Sequence, residues 1–367
     1  MRNPVPNKEK FIQVIKGNKI EKKVPFIELI IGEHVLKYVT ENFLNKKWNP
    51  SVQNRNSIIK HVETMINCWY YLGYDYIRLT PQLDAVFKFE RKFRETKDTA
   101  SDQKRHWTEE GTGVISNWED FEKYVWPDLD DLDFWMFKKA SALIPDGMGL
   151  IVCPSSGFLE IPLNGLFGYE NLSYLMHDNP ELVEKVFNKV GNLLVGWYQR
   201  IIDLDLDNLI GFFQGDDMGY KTSTLVSPDF LRKHVLPWHK KLALLAHDNN
   251  LFYLLHACGN LDEIMDDLIN DVKIDGYHSF EDEIQPVTEF SNKYSKQVTP
   301  LGGIDVDKLT RYNEEKLRNY VDQTLNQCIK NGPYALGSGN SIANYIPVKN
   351  YLTMLDEGLK WSKNNLT

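Results

Sequence analysis

The sequence predicts an α/β protein built as a (β/α)8 barrel, the TIM-barrel architecture, with an insertion after the second strand. Two observations lead to this fold class. Eight short apolar runs recur along the 367 residues, and the stretches between them change to the 3.6-residue period of amphipathic helices. The runs occupy residues 24–30, 75–80, 149–155, 208–214, 252–258, 274–279, 298–304 and 334–339.

Each run has the length of a strand, is apolar almost throughout and ends in polar residues or glycine. This pattern is typical of parallel strands that are buried on both faces. Parallel strands need helical crossovers, and eight of them with right-handed connections close into a barrel. A doubly wound open sheet is the alternative arrangement of the same elements.

Helices are predicted between the runs, at residues 57–72, 169–203, 227–247, 314–330 and 348–360, and Pro180 is expected to break the second of these. The clearest helical period follows Cys258. Apolar residues there share one helix face, and Asn260 with Glu263 can form an arrangement like a capping box at its start. The face consists of Leu261, Ile264, Met265, Leu268, Ile269 and Val272.

The insertion is predicted at residues 81–148, because a barrel of this class needs only about 250 residues. Segments 86–94 and 105–116 have the pattern of a β-hairpin, and a short helix is expected near residues 131–144. We expect this insertion to lie over the barrel mouth and residues 1–367 to form a single domain.

Composition and charge limit the classes of function. Lysine and arginine number 42 against 51 acidic residues, which gives a net charge of −9, and 42% of the residues are hydrophobic. This is an ordinary globular composition, and an acidic chain without basic blocks is not expected to bind nucleic acid or an anionic membrane. No apolar run approaches the roughly 18 residues of a membrane span, and residues 1–16 lack the core of a signal peptide, so a cytoplasmic protein is expected.

Polar residues at the ends of the runs form the candidate site, because barrel enzymes place their catalytic groups at the C-terminal ends of strands. His256 and Cys258 end the fifth run. Residues i and i+2 of a strand point to the same side, and zinc favours nitrogen and sulfur ligands. A buried histidine beside a small core cysteine gives the same sequence pattern. The four cysteines, at positions 68, 153, 258 and 328, are too scattered for a disulfide scaffold.

Carboxylates and a second histidine end neighbouring runs. Asp216 and Asp217 can bind a metal, hold a cationic substrate or act as acid and base, and the alternative is a turn or helix-capping role. Glu28 interrupts an apolar run, so its carboxylate needs either a functional partner or an ion pair. His278, close to Glu281, is a further catalytic candidate, with a capping or surface role as the alternative. The sequence therefore predicts a polar mouth.

An ordered set of motifs resembles the uroporphyrinogen decarboxylase superfamily, and the best match is its methyltransferase-like branch. The motifs are GDDMG at 215–219, HACGN at 256–260, LGGID at 301–305, GSGNS at 337–341 and YIP at 345–347. The resemblance is strongest over the C-terminal half, and it implies a (β/α)8 barrel with its site at the strand C-termini.

Two chemistries occur in that superfamily. Its decarboxylases hold the propionates of a porphyrinogen with an arginine-rich N-terminal motif. This chain has no arginine between Arg2 and Arg55, which counts against decarboxylation. Uroporphyrinogen decarboxylase remains the first alternative function, and a catalytically silent binding barrel is the second.

The other branch consists of corrinoid-dependent (cobalamin) methyltransferases, in which an H-x-C pair and a later cysteine hold zinc. The resemblance assigns His256 and Cys258 as zinc ligands and places Ser338 where the later cysteine stands. A carboxylate must then complete the site, with Glu28 as first choice, Asp217 as second and Glu281 as a further candidate, unless metal binding is lost. Ser338 and Asn340 are assigned to cofactor binding.

The resemblance also implies the partners. It predicts a small methylated substrate and a separate corrinoid-binding protein, with zinc as a Lewis acid. The sequence allows a homodimer and does not require one. It does not choose among methoxylated, amine or folate methyl compounds.

Overall fold

The computed structural model describes residues 4–49, 54–80, 93–97, 104–108, 113–153 and 156–366 of the chain. Within these ranges the strands are β1 (Tyr76–Leu79), β2 (Phe93–Lys97), β3 (Lys104–Thr108), β4 (Gly149–Val152), β5 (Leu209–Gly215), β6 (Phe252–His256), β7 (Gly276–His278) and β8 (Thr299–Pro300). The helices are α1 (Lys8–Ile15), α2 (Glu33–Asn42), α3 (Arg55–Leu72), α4 (Trp118–Lys123), α5 (Trp135–Ser141), α6 (Tyr169–Asp178), α7 (Pro180–Ile202), α8 (Pro228–His234), α9 (Leu236–Asp248), α10 (Met265–Asp267), α11 (Val287–Tyr294), α12 (Val306–Arg311), α13 (Glu314–Asn331) and α14 (Val348–Asn365).

Six strands form one parallel sheet in the order β1-β4-β5-β6-β7-β8, so six of the eight predicted runs become strands. The first and last runs continue the ring through isolated parallel bridges. Leu336 pairs with Phe26, and Ala335 pairs with Leu301, which follows β8. The predicted α/β barrel is therefore confirmed, and the C-terminal ends of its strands share one mouth.

The prediction of continuous strands in the first and last runs is wrong, because side chains take the backbone donors that a ladder needs. Pro25 has no N–H to donate. The N–H of Glu28 donates to Tyr76 Oη at 2.8 Å, and the N–H of Ser338 donates to Glu28 Oε1 at 2.9 Å. These two runs thus carry a side-chain network where the central strands carry a ladder.

Every predicted helical stretch contains helix in the structure, but the number and the ends of the helices differ from the prediction. Pro180 separates α6 from α7 as predicted. The 227–247 stretch is two helices, α8 and α9, because Pro237 lacks the N–H that one continuous helix would use there.

The amphipathic stretch after Cys258 forms less helix than its period predicts. Asn260 accepts a hydrogen bond from the N–H of Asp262 at 3.0 Å and not from Glu263, so the predicted capping box does not form. Helix α10 is followed by a π-helical turn, Leu268–Val272, which ends at Lys273 with φ 65°. The apolar residues are buried nonetheless, since burial can be met without a regular α-helix.

The insertion contains an antiparallel hairpin of β2 and β3, with Phe93 opposite Thr108. Strand β2 lies later than the predicted 86–94, whereas β3 overlaps the start of the predicted 105–116 and is shorter. Residues 81–92, which include most of the first predicted hairpin strand, lie outside the described residues, as do 154 and 155 at the end of the third run. The predicted short helix corresponds to α5. Ile115 donates a backbone hydrogen bond to Leu166 at 2.8 Å, which joins the insertion to the connection after β4.

Apolar side chains fill the barrel and the layer between strands and helices. Helix α1 packs on the barrel, with the Phe11 ring 5.1 Å from that of Tyr76. No helix among the described residues is both long and apolar enough to span a bilayer.

Candidate metal centre at the barrel mouth

Three neighbouring strands set the geometry of the site. The register pairs Gly215 of β5 with His256 of β6, and His256 with His278 of β7. Asp216 and Asp217 directly follow β5, and Cys258 lies two residues beyond the end of β6. The order of strands therefore brings polar residues that are about 20 to 60 positions apart in sequence to one edge.

Asp217, His256 and Cys258 form a group, called the metal group below, whose ligand atoms all lie within 4.8 Å of one another. His256 Nε2 lies 3.4 Å from Cys258 Sγ and 3.5 Å from Asp217 Oδ1. Tetrahedral zinc with bonds of about 2.1 Å to nitrogen or oxygen and about 2.3 Å to sulfur separates its ligands by about 3.5 Å. These residues thus fit a zinc ion in both donor type and spacing.

A chain of hydrogen bonds fixes the tautomer of His256. The carbonyl oxygen of Ser338 can only accept, so His278 Nε2, 3.0 Å away, must donate to it. A neutral His278 then has a lone pair at Nδ1, which accepts from His256 Nδ1 at 2.6 Å. His256 consequently carries its proton on Nδ1, and its Nε2 lone pair points to the metal group.

Burial keeps both histidines neutral. It lowers the pKa of His256 to about 3, with a smaller contribution from the charge of Arg78. Burial and the neighbouring His256 likewise place the pKa of His278 well below its usual value. A neutral imidazole is the form that binds metals.

Cys258 is surrounded by donors to its sulfur. Asn340 Nδ2 lies 3.3 Å and Ser279 Oγ 3.7 Å from Cys258 Sγ, while the N–H of Cys258 donates to Asp217 Oδ1 at 2.8 Å. Burial, aided by the charge of Asp217, raises the pKa of the Cys258 thiol. A bound cation would therefore have to displace this proton, and Asn340 and Ser279 would then stabilise the thiolate.

Glu28 and Ser338 form a separate buried pair. The carboxyl of Glu28 accepts from the N–H of Ser338, and its Oε2 lies 2.6 Å from Ser338 Oγ, which also contacts the carbonyl oxygen of Asn340. Burial raises the pKa of Glu28 to about 8. Among the described residues, Glu28 is not a member of the metal group, so the geometry favours Asp217, the second choice from sequence, as the third ligand.

Asp216 belongs to a different hydrogen-bond network, separate from the metal group. It accepts from the N–H groups of Leu159 and Glu160 at 3.0 Å and contacts His239 Nε2 at 2.8 Å. His239 in turn contacts Tyr253 Oη at 2.6 Å. These bonds attach the connection after β4 to the end of β5. The catalytic roles predicted for Asp216, Asp217, Glu28 and His278 stay predictions, and Asp216 has the most evident structural role of the four.

A cavity of about 620 Å³ opens beside the metal group. Asp217 and His256 line it together with residues that the site prediction did not include, among them Trp69, Arg78 and Glu160. Burial and the nearby Asp217 and Asp216 raise the pKa of Glu160 to about 8. Trp69 lies on a helix and Glu160 on the irregular connection after β4, where no strand-end pattern could have marked them.

The comparisons with known proteins agree with this architecture. The family model for uroporphyrinogen decarboxylase (URO-D) matches residues 163–360. A methyltransferase from Methanosarcina mazei superposes with a TM-score of 0.68 at 14% identity, covering 96% of this chain and 98% of that one. A candidate vitamin-B12-independent methionine synthase from Listeria monocytogenes gives 0.53 at 14% identity, covering 95% and 98%. At such identities the two structures show a shared fold, and no curated protein sequence gives a match.

Proposed function

We propose, from the premise that this chain belongs to the uroporphyrinogen decarboxylase family, that it is a zinc-assisted methyltransferase acting on a small methylated compound and a corrinoid protein. The observation that carries the proposal is the Asp217, His256 and Cys258 group beside an open cavity at the barrel mouth. Zinc held there would supply Lewis acidity to an ether or amine that carries the methyl group. One thiolate and one carboxylate make a harder site than two thiolates, which suits such donors.

The chain's own residues prepare this site. His278 orients His256 through the short Nδ1 to Nδ1 contact, and Asn340 and Ser279 donate toward the sulfur of Cys258. The cavity holds the compound next to the three ligands. Positioning of the reacting groups is a large part of the rate enhancement in such a reaction.

Decarboxylation of a porphyrinogen is less well supported. Such a substrate carries eight carboxylates, and Arg78 is the one arginine among the described residues that line the cavity. Incubation with uroporphyrinogen III checks this alternative, since turnover of roughly 1 per second or faster would be enzymatic and would replace our proposal.

Zinc retention is the first test of the proposal. Protein prepared with zinc and dialysed is expected to retain one zinc per chain by mass spectrometry, Cys258→Ala to retain none, and Asp217→Asn to bind it at least about 10-fold more weakly. Asp229→Asn, which changes an exposed carboxylate, is the matched control and is expected to retain zinc. Stoichiometric zinc in Cys258→Ala, or none in the wild-type protein, would contradict the site.

Methyl transfer is the second test. Reduced cobalamin is mixed with the zinc-loaded protein and methoxylated or methylamine donors, and methylcobalamin is followed by absorbance. Formation that depends on Cys258 supports the proposal. Transfer to a thiol acceptor without any corrinoid would instead favour the chemistry named for the Listeria monocytogenes structure.

A further inference from the structure

The cavity at the mouth contains a buried arginine whose charge has no carboxylate partner in the described part of the chain. Arg78 of β1 is 8% exposed. One of its Nη atoms donates to the carbonyl oxygen of Leu29 at 2.9 Å, the other lies 3.4 Å from that of Phe213, and the guanidinium lies 5.5 Å from the Phe213 ring centre. Its Nε–H is buried and has no hydrogen-bond partner among the residues that the structure describes.

These contacts offset only part of the cost of burying a cation. Carbonyl oxygens and an aromatic face carry partial charges, whereas a guanidinium taken from water is matched best by a full negative charge. Asp217 and Glu160 are the carboxyl groups among the described lining residues, and neither is within ion-pair distance of Arg78. The charge of Arg78 is therefore open to a ligand.

Trp69 provides an independent observation at the same cavity. Its side chain is 2% exposed, and its Nε1–H is buried without a partner in the described ranges of the chain. A buried donor that stays unsatisfied is costly, and buried tryptophans usually find an acceptor. Two residues of the lining, from α3 and β1, thus each have a donor that no described residue accepts.

We propose that this cavity binds a small apolar acid, whose anionic oxygens pair with Arg78 and Trp69. Arginine presents a planar fork of donors that fits the two oxygens of a carboxylate. Leu29, Ile30, Ile31 and Met65 supply an apolar wall for the body of such a compound. Because Asp217 and His256 line the same cavity, the acid group would fix the compound relative to the metal group.

This proposal deepens the proposed function and rests on it in one respect, that the compound bound is the methylated substrate. It then names the substrate class as acids that carry the methyl group on an apolar body. Binding of the acid group by Arg78 and Trp69, called the anchor below, can be measured without methyl transfer and without metal. The two proposals can therefore be tested separately.

The experiment is calorimetric titration of the full-length protein, with and without zinc, using benzoate, benzenesulfonate and the neutral isostere benzamide. We expect the wild type to bind at least one of the two anions at least about 10-fold more tightly than benzamide. The preferred anion tells a carboxylate from a sulfonate ligand.

The variants are Arg78→Met, Arg78→Lys and Trp69→Phe, with Arg311→Met, which changes an exposed arginine, as the matched control. Arg78→Met is expected to abolish the preference for anions, and Trp69→Phe to weaken it, while zinc content stays at the wild-type level. Arg78→Lys keeps the charge and is expected to keep a reduced preference. If Arg78→Met does not fold, the comparison of Arg78→Lys with the wild type tests the proposal.

Equal binding of anion and amide, no binding of any probe, or wild-type affinity in folded Arg78 variants would overturn the proposal. Anion binding that depends on Arg78 in a protein that never holds zinc would support the anchor while contradicting the proposed function. Zinc retention without a preference for anions would support the proposed metal site and contradict the anchor.

Discussion

Ser338 stands where the sequence resemblance predicts a zinc-binding cysteine, and its neighbours explain what it does here. Its hydroxyl contacts Glu28 Oε2 and the carbonyl oxygen of Asn340, and its own carbonyl accepts from His278. One residue therefore joins the buried carboxyl to the chain that orients His256. In our proposal, the third zinc ligand is instead Asp217, which follows another strand.

His278 is the residue on which this orientation depends. Replacing it with leucine removes the acceptor for His256 Nδ1–H, so the imidazole can rotate or change tautomer, and zinc affinity is expected to fall about 10- to 100-fold. His278→Gln retains an amide oxygen as acceptor and is expected to lose less. Competition with a chelator dye measures both, and equal affinities in wild type and folded His278→Leu would contradict the role.

Glu28 makes stability depend on pH in a defined direction. Its pKa is about 8 in the folded protein against an ordinary 4.5, so between these values the folded state holds a proton that the unfolded state has released. The free energy of unfolding should therefore fall as pH rises from about 4.5 to about 8, by roughly a few kcal/mol. Below that range both states are protonated, and above it both are ionised.

Glu28→Gln is expected to remove this slope, because the amide can accept from the N–H of Ser338 and donate to its hydroxyl without ionising. Urea unfolding between pH 5 and pH 8.5 is the measurement. The variant should match the wild type near pH 5 and exceed it near pH 8. Parallel profiles for the two proteins would show that Glu28 carries no such proton.

Residue types at strand ends could be predicted from sequence, but their pairing could not. The His256 and Cys258 spacing needs only strand geometry, so this pair could be identified. Whether Glu28 or Asp217 lies beside it depends on how runs some 190 positions apart meet in the barrel. That is a long-range property, and no local pattern contains it.

At the scale of elements, the loop after β6 holds Cys258 in place by a close approach of two glycines. Gly259 has φ +87°, and a Cβ there would lie 2.2 Å from the carbonyl carbon of Gly219. The two loops that provide Asp217 and Cys258 are thus in backbone contact. A side chain at this point would have to push them apart.

Gly259→Ala is therefore expected to lower the free energy of unfolding by clearly more than the cost of positive φ alone and to weaken zinc binding. Gly17→Ala is the matched control, because Gly17 has φ +92° and nothing lies within 4 Å of the added Cβ. The control should cost about 1 kcal/mol and leave zinc content unchanged. Equal losses in the two variants would mean that the loop contact has no importance.

The segment after Cys258 shows, at the scale of elements, why hydrophobic periodicity alone predicts more helix than forms. The apolar residues from Leu261 to Val272 are buried as their spacing predicts, yet only α10 and a π-helical turn form. Asn260 makes a local turn with Asp262 in place of a helix cap. Burial is determined by the pattern, whereas backbone geometry also depends on which donors are engaged nearby.

At the scale of the whole molecule, the ring depends on a junction made by side chains, in which Arg78 of β1 donates to the Leu29 carbonyl beside the contacts of Tyr76. The first run joins the last run by bridges, but it meets β1 through Tyr76, whose hydroxyl lies 2.8 Å from the nitrogen and 3.0 Å from the oxygen of Glu28. Tyr76 thus replaces a pair of ladder hydrogen bonds. The eight runs were sufficient to predict a barrel. The role of the Tyr76 hydroxyl could not be predicted, because in the apolar pattern Tyr76 looks like any other core residue.

Tyr76→Phe keeps the ring of Tyr76 and removes this bridge, leaving the N–H and C=O of Glu28 buried without their partner. Such groups cost about 1–3 kcal/mol, so the free energy of unfolding in urea is expected to fall by that amount. Hydrogen exchange in the first run should quicken, because the junction opens more readily than the central sheet. Tyr169→Phe removes an exposed tyrosine's hydrogen bond to the Leu225 carbonyl and should change stability by less than about 0.5 kcal/mol. If both variants behave alike, the barrel is held closed at this junction by packing of the Tyr76 ring and not by its hydroxyl.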